Sequence, residues 1–200
     1  MVAQHLFGVC FILLILQLYQ NEAHWNIFVK EKFTSSGLVP DLIPIAPDKK
    51  VEVFYLSSRK AVNFGNILKP SQVRDIPTIN YHVWGKKCYT LAMLDPDAPS
   101  RQNPFEKAFV HWLVGNIPGT NVGQGDTLAE YIGSAPPENS GFHRYAFLVY
   151  EQTCKIRFNE TILTTTSFEE RKSFSIETFS KKYDLGNPVM GNYFLAEHEN

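Results

Sequence analysis

Leu91-Ala92-Met93-Leu94-Asp95-Pro96-Asp97-Ala98-Pro99-Ser100-Arg101 runs from an unbroken apolar segment straight into acids and prolines. Read back to Tyr89, the segment sets Tyr89, Leu91 and Met93 against Thr90, Ala92 and Leu94. Both sets are largely apolar, which describes a central strand covered on both faces. Phe109-Val110-His111-Trp112-Leu113-Val114 is a second such strand, and Tyr145 to Tyr150 (YAFLVY) is a third. The third is preceded by Gly133-Ser134-Ala135-Pro136-Pro137 and by Gly141-Phe142-His143-Arg144. Strands buried on both faces need a layer on each side, so the chain reads as one β-rich domain, a sandwich or large curved sheet with peripheral helices.

Working outward, Val51 to Leu56, Thr78 to Trp84 and Val189 to Ala196 read as further strands. Val39 to Pro47 holds three prolines and should be extended and irregular. Trp25 to Phe33 has the apolar spacing of a short amphipathic helix. Phe174 to Tyr183 reads as a helix stopped by Gly186, and Thr166 or Ser167, each with Glu three residues on, supplies a helix-start signature.

The 200 residues carry a net charge of -1, with 44% hydrophobic and 14% aromatic residues. No basic stripe is present, which argues against nucleic acid as a partner. Leu6 to Leu18, LFGVCFILLILQL, is apolar but shorter than the ~20 residues that span a bilayer as a helix. It predicts a secretory signal over residues 1–23 and a single extracellular domain over 24–200; a buried N-terminal helix would show the same run. Cys10 would leave with the signal, while Cys88 and Cys154 remain as one disulfide or as two core thiols. Asn159-Glu160-Thr161 is a sequon, a candidate surface glycosylation site at Asn159.

Asp95 ends its strand, whereas His111 and His143 begin theirs. Antiparallel neighbours would gather all three at one edge. A carboxylate beside imidazoles favours their charged form, and Pro99, Pro136 and Pro137 would wall the space. Backbone N–H groups of Gly133 to Ala135 could add donors, making a small-anion site. Each residue alone has a structural explanation: Asp95 before Pro96 is a common turn former, Asp97 could bond its own loop, and Arg101 and Arg144 could form ion pairs. Ser134 or Ser100 with His143 and Asp95 can be drawn as a Ser-His-Asp set. No Gly-x-Ser-x-Gly elbow accompanies it, and no enzymatic activity and no cofactor are expected. One carboxylate and two imidazoles would also suit a divalent ion, although no metal is expected.

DPDAPSR (Asp95 to Arg101), HWLVGNIPG (His111 to Gly119), GSAPPENSGFHRYAFLVYEQ (Gly133 to Gln152) and FSKKYDLGNPVMGNYFLAE (Phe179 to Glu197) resemble the phosphatidylethanolamine-binding protein family. The resemblance runs from about Val51 to Glu197. It implies a large central antiparallel sheet, a smaller second sheet and short helices. It also implies a pocket for a phospholipid head group or phosphate-like anion, formed by Asp95, Pro99, His111, Ala135, Pro136, His143 and Tyr145, with a cis bond at Ala98–Pro99. Family roles extend to inhibition of proteases and to signalling, so a protease or another protein is the alternative partner. The chain departs from the pattern at Phe109 (Trp in many animal members), Val110 (His) and Ala135 (Gly). It also stops at Asn200, where many animal relatives continue into a helix bordering the pocket, which predicts a more open site.

Overall fold

The computed structural model describes residues 17, 20, 23–83, 85–153 and 155–199. The expected signal lies almost wholly outside these residues, as does Cys154. Residues 23–35 form helix α1. There follow α2 (Leu38–Asp41), β1 (Lys49–Lys50), β2 (Glu52–Tyr55), β3 (Lys60–Ala61), β4 (Asn66–Ile67), β5 (Thr78–Asn80) and β6 (Cys88–Asp95). The rest comprises β7 (Phe109–Pro118), β8 (Asp126–Ala129), β9 (His143–Gln152), α3 (Ile176–Lys182) and β10 (Met190–Ala196).

A seven-stranded sheet has the order β1-β10-β9-β6-β7-β8, with β4 also on β10, and a three-stranded sheet has the order β3-β2-β5. The central pairings β10–β9, β9–β6 and β6–β7 are antiparallel, while β1 and β4 join β10 in parallel. The expected architecture is therefore present: mainly β, one large and one small sheet, few helices.

Alternation along the central strands sorts the core into two layers. Leu91, Met93, Trp112, Tyr145, Phe147 and Val149 pack against Val53, Tyr55 and Ile79 of the small sheet. Ala92, Leu94, Val110, Leu113, Ala146 and Leu148 pack against Val29 and Phe33 of α1 and Ile176 and Phe179 of α3. The long apolar runs of the sequence are the record of this double cover.

Two local expectations fail. The start signature at Thr166/Ser167 leads only to a 3-10 turn, Glu169–Arg171. Lys172 is then extended and Ser173 takes φ 56, so no helix can run through. Helix α3 begins later, where the Ser175 side chain accepts from the Thr178 N–H at 3.1 Å. The proline-rich stretch from Val39 is not wholly extended, since α2 occupies its start. Sequence reading also missed β1, β3, β4 and β8, edge strands of two to four residues too short to carry a period.

Candidate ligand-binding site

The antiparallel register assembles the site at one end of the large sheet. Asp95 at the end of β6 pairs with Phe109 at the start of β7, and Leu94 pairs with Ala146, three residues after the first residue of β9. His143 and Tyr145 share the small-sheet face with Phe147, so alternation points Arg144 to the opposite side.

His111 reaches the same face through a bulge. Met93 pairs with Trp112 but Leu94 pairs with Val110, so His111 is the extra residue of β7. Without it, strict alternation would send His111 to the helix side. The bulge re-aims the side chain, and its ring meets Tyr145 edge-on at 5.1 Å and Phe109 at 5.0 Å.

The hydrogen bonds settle where protons sit. Ser140 Oγ lies 2.6 Å from the Pro137 carbonyl, which only accepts, so the hydroxyl donates there. His143 Nε2, 2.9 Å from the same Oγ, must then donate to it. The other ring nitrogen, Nδ1, is 2.7 Å from Asp95 Oδ2. His143 is thus clamped through both ring nitrogens, by Asp95 on one side and Ser140 on the other, in a buried pair with that carboxylate. The Asp97 N–H steadies the second carboxylate oxygen at 2.8 Å. Ser140 sits between Asn139 (φ 61) and Gly141 (φ 76), a left-handed pair that turns the chain tightly enough to bring it back over His143. These distances match a Ser-His-Asp triad, but the hydroxyl proton goes to Pro137 rather than to the imidazole, so Ser140 is held as an anchor and not activated.

His111 differs. Its Nδ1 donates to the Ile132 carbonyl at 3.1 Å, leaving Nε2 as an acceptor. Burial pushes its pKa down, assisted by the charge of Arg171, and the Asp95 carboxylate and the Ile132 carbonyl only partly oppose this. Of the two imidazoles that the sequence places beside a carboxylate, His111 is therefore held toward its neutral form, and His143 is the one in direct contact with Asp95. Burial, with Asp95 adding to it, holds the Tyr145 phenol far above its ordinary range, so it stays protonated. Tyr145 stacks on Phe194 at 5.0 Å.

These groups line a cavity of about 310 Å³ together with Ala98, Pro99, Glu106, Phe109, Ile132, Gly133, Ala135, Pro137 and Phe168. Of the residues named from sequence, Asp95, Pro99, His111, Ala135, His143 and Tyr145 are on this lining; Pro136 is not. Pro136 is buried, and its carbonyl accepts from His198 Nδ1 at 3.2 Å, leaving Pro137 as the second proline wall. The bond Ala98–Pro99 is cis, as are Val39–Pro40 and Lys107–Ala108. Gly133 is required by close approach: a Cβ there would meet the Val73 carbonyl oxygen at 2.7 Å. Cys88 is a free thiol at the far end of β6, opposite Gln152 of β9. Among the described residues no group of three or more His, Cys, Asp or Glu side chains could hold a metal ion.

Three contributors went unread in the sequence. Ser140 is one, although its place three residues before His143 in a Gly-containing turn was a usable cue. Arg171 is another: it is fully buried, donating to the carbonyls of Val110 (2.9 Å), Glu130 (2.8 Å) and Thr164 (2.8 Å). It thereby ties the start of β7 to the exit of β8 behind the cavity. Phe168, three residues earlier, stands 56% exposed at the rim. Neither Arg171 nor Phe168 belongs to a local motif, so only the fold could reveal them. Asp97, Arg101 and Arg144 serve the opposite face: Arg144 is bidentate to Asp97 at 2.6 and 2.9 Å, and both arginines reach the Ser36 carbonyl.

The state of His111 has a measurable consequence. An unfolded histidine takes up a proton near 6.5, and folded His111 only at lower pH. In that window the unfolded chain binds more protons, so His111 contributes a loss of stability as pH falls. The denaturation midpoint of the wild type should therefore fall more steeply between pH 7 and pH 5.5 than that of His111→Gln. Parallel curves for the two proteins would contradict a neutral buried His111.

Comparison with known proteins establishes the family and the fold. The phosphatidylethanolamine-binding protein family matches residues 58–194, and the chain belongs to that family. It is 39% identical over 167 residues to a 26 kDa secreted antigen of Toxocara canis, covering 82% of this chain and 63% of the antigen. The chain thus spans less than two thirds of that relative's length. It is 31% identical over 159 residues to a putative odorant-binding protein A5 of Drosophila melanogaster, covering 80% of this chain and 75% of the relative. Among solved structures, a carboxypeptidase Y inhibitor, complexed with its cognate proteinase, superposes with a TM-score of 0.74 at 26% identity, covering 88% of this chain and 97% of that one.

Proposed function

We propose that the protein is an extracellular binding protein whose cavity takes a phosphate monoester or the head group of a phospholipid. The observation that carries the reading is the convergence of Asp95, His111, His143 and Tyr145 on one cavity of about 310 Å³. Tyr145 keeps its phenolic proton, His143 is held against Asp95, and His111 Nε2 is left to accept. A monoprotonated phosphate offers the complement, anionic oxygens together with one P–OH. The ammonium of an ethanolamine head group would find Glu106 and the rings of Phe109 and Phe168 on the same lining. The secreted antigen of Toxocara canis supports an extracellular location. Among the described residues no helix is long and apolar enough to cross a membrane.

Calorimetric titration with phosphorylethanolamine and with inorganic phosphate tests this. Saturable binding to the wild type is expected, with at least a tenfold weakening in His143→Ala, the effect of about 1.4 kcal/mol. No heat at millimolar ligand, or equal affinity in the variant, would sink it. The likeness to a carboxypeptidase Y inhibitor favours a second reading, protease inhibition through the surface. Micromolar protein that leaves carboxypeptidase Y and a serine protease panel fully active would remove that version.

A further inference from the structure

We propose that Asn159 carries an N-linked oligosaccharide that covers the groove beside it and leaves the ligand cavity open. The inference rests on the extracellular reading, because this glycan is added only to chains entering the secretory route.

The sequon Asn159-Glu160-Thr161 lies in a segment, residues 155–162, with no helix or strand pairing, and Asn159 and Thr161 are both exposed. The segment is nonetheless firmly attached through its neighbours. Phe158 stacks on Phe179 at 5.9 Å and meets Tyr183 edge-on at 4.8 Å. Its ring lies so close to β7 that a Cβ on Gly115 would stand 2.1 Å from it. The Glu160 carboxylate accepts from Lys182 Nζ at 2.6 Å and from Tyr183 Oη at 2.7 Å. Asn159 itself is held by its backbone: its N–H donates to Tyr183 Oη at 2.9 Å and its carbonyl accepts from Lys182 Nζ at 3.2 Å. Among the described residues no hydrogen bond engages its carboxamide. An exposed, uncommitted amide on an irregular stretch is what the transfer reaction requires.

In that reaction the Asn159 amide nitrogen attacks the first sugar carbon of a lipid-pyrophosphate-linked oligosaccharide. The new N–C bond replaces the C–O bond to pyrophosphate, the amide loses one proton, and the lipid pyrophosphate leaves. No electrons are exchanged.

The position gives the glycan a purpose. It borders a groove of about 560 Å³ in which the apolar Ile156, Phe158 and Ile162 lie among the charged Lys155, Arg157 and Glu160, with Ile162 62% exposed. Sugar faces and their hydration would cover this apolar surface, which otherwise invites association. The groove belongs to the other end of the sheet, since Ile156 hydrogen-bonds Asn116 on the far part of β7. The cavity sits where β9 begins.

The full-length chain with its own N-terminus, expressed in insect cells, provides the test. Protein in the medium should lose mass in one discrete step on treatment with peptide N-glycosidase. Asn159→Gln and Thr161→Ala should migrate with the treated form before any treatment. Glycosylated and enzymatically stripped protein should bind phosphorylethanolamine equally. Secreted wild type without a mass step would overturn the glycan while leaving the extracellular reading intact. Protein found only in the cytosol, unmodified, would overturn both. A change in ligand affinity on stripping would overturn the placement away from the cavity.

Discussion

Arg171→Met should cost about 3 kcal/mol of folding stability, read as a lower denaturant midpoint. Two effects compete. Burial pushes the Arg171 pKa down, so removing the guanidinium relieves a desolvation cost. Against that, the carbonyls of Val110, Glu130 and Thr164 lose a donor at 2.8 to 2.9 Å, the first of them buried and the other two partly so. A buried acceptor left without a partner costs about 1–3 kcal/mol, and that loss at Val110, with two further charge-assisted bonds at part-buried positions, outweighs one relieved cation. Arg171→Lys should fall between the two proteins, since an ammonium keeps the charge but cannot fork to widely placed carbonyls. Ligand binding should weaken with stability, because the same bonds hold the start of β7, and His111 with it, against the exit of β8. A midpoint for Arg171→Met within about 0.5 kcal/mol of wild type, the range of an inert surface change, would show that Arg171 is not a structural tie.

Asp97→Ala should be the other severe substitution, at about 3–5 kcal/mol. The Arg144 side chain is 3% exposed and that of Asp97 1%. Asp97 accepts from the Arg144 backbone N–H at 2.8 Å as well as from its guanidinium. Removing it leaves a buried cation with the Ser36 carbonyl and the Asp41 carboxylate, whose side chain is 46% exposed. Solvent screens that partner, so Asp41→Ala should cost no more than about 1 kcal/mol. Equal losses for the two variants would mean that Arg144 does not discriminate between the buried and the exposed carboxylate. The segment that reads as a binding motif therefore does two things on two faces: Asp95 and His143 build the cavity, and Asp97 and Arg144 lock the loop to the helix layer.

The central strands were legible because each is buried on both faces and long enough to show it. The eight residues of β6 and ten of β9 leave an unmistakable apolar record. β1, β3 and β4 have two residues each and leave none. The helix-start signature at Thr166 or Ser167 misled because the chain turns extended at Lys172 and left-handed at Ser173, which ends the run after a single 3-10 turn. Pro136 and Pro137 cannot be told apart in sequence as cavity walls. The Pro136 carbonyl is drawn away by His198, a partner 62 positions distant.

The sequence alone placed a carboxylate at the end of one buried strand and histidines at the start of two others, which meet once the strands pair antiparallel, as they do. The identity of the gathered groups, Asp95, His111 and His143, followed from that. Tertiary structure decided their chemistry. The bulge at His111 arises from register against β6, the clamp on His143 from Asp95 and from a Ser140 turned toward Pro137, and the neutrality of His111 from burial beside Arg171. Charge state and aim depend on desolvation and on partners remote along the chain, and neither is a property of the local sequence.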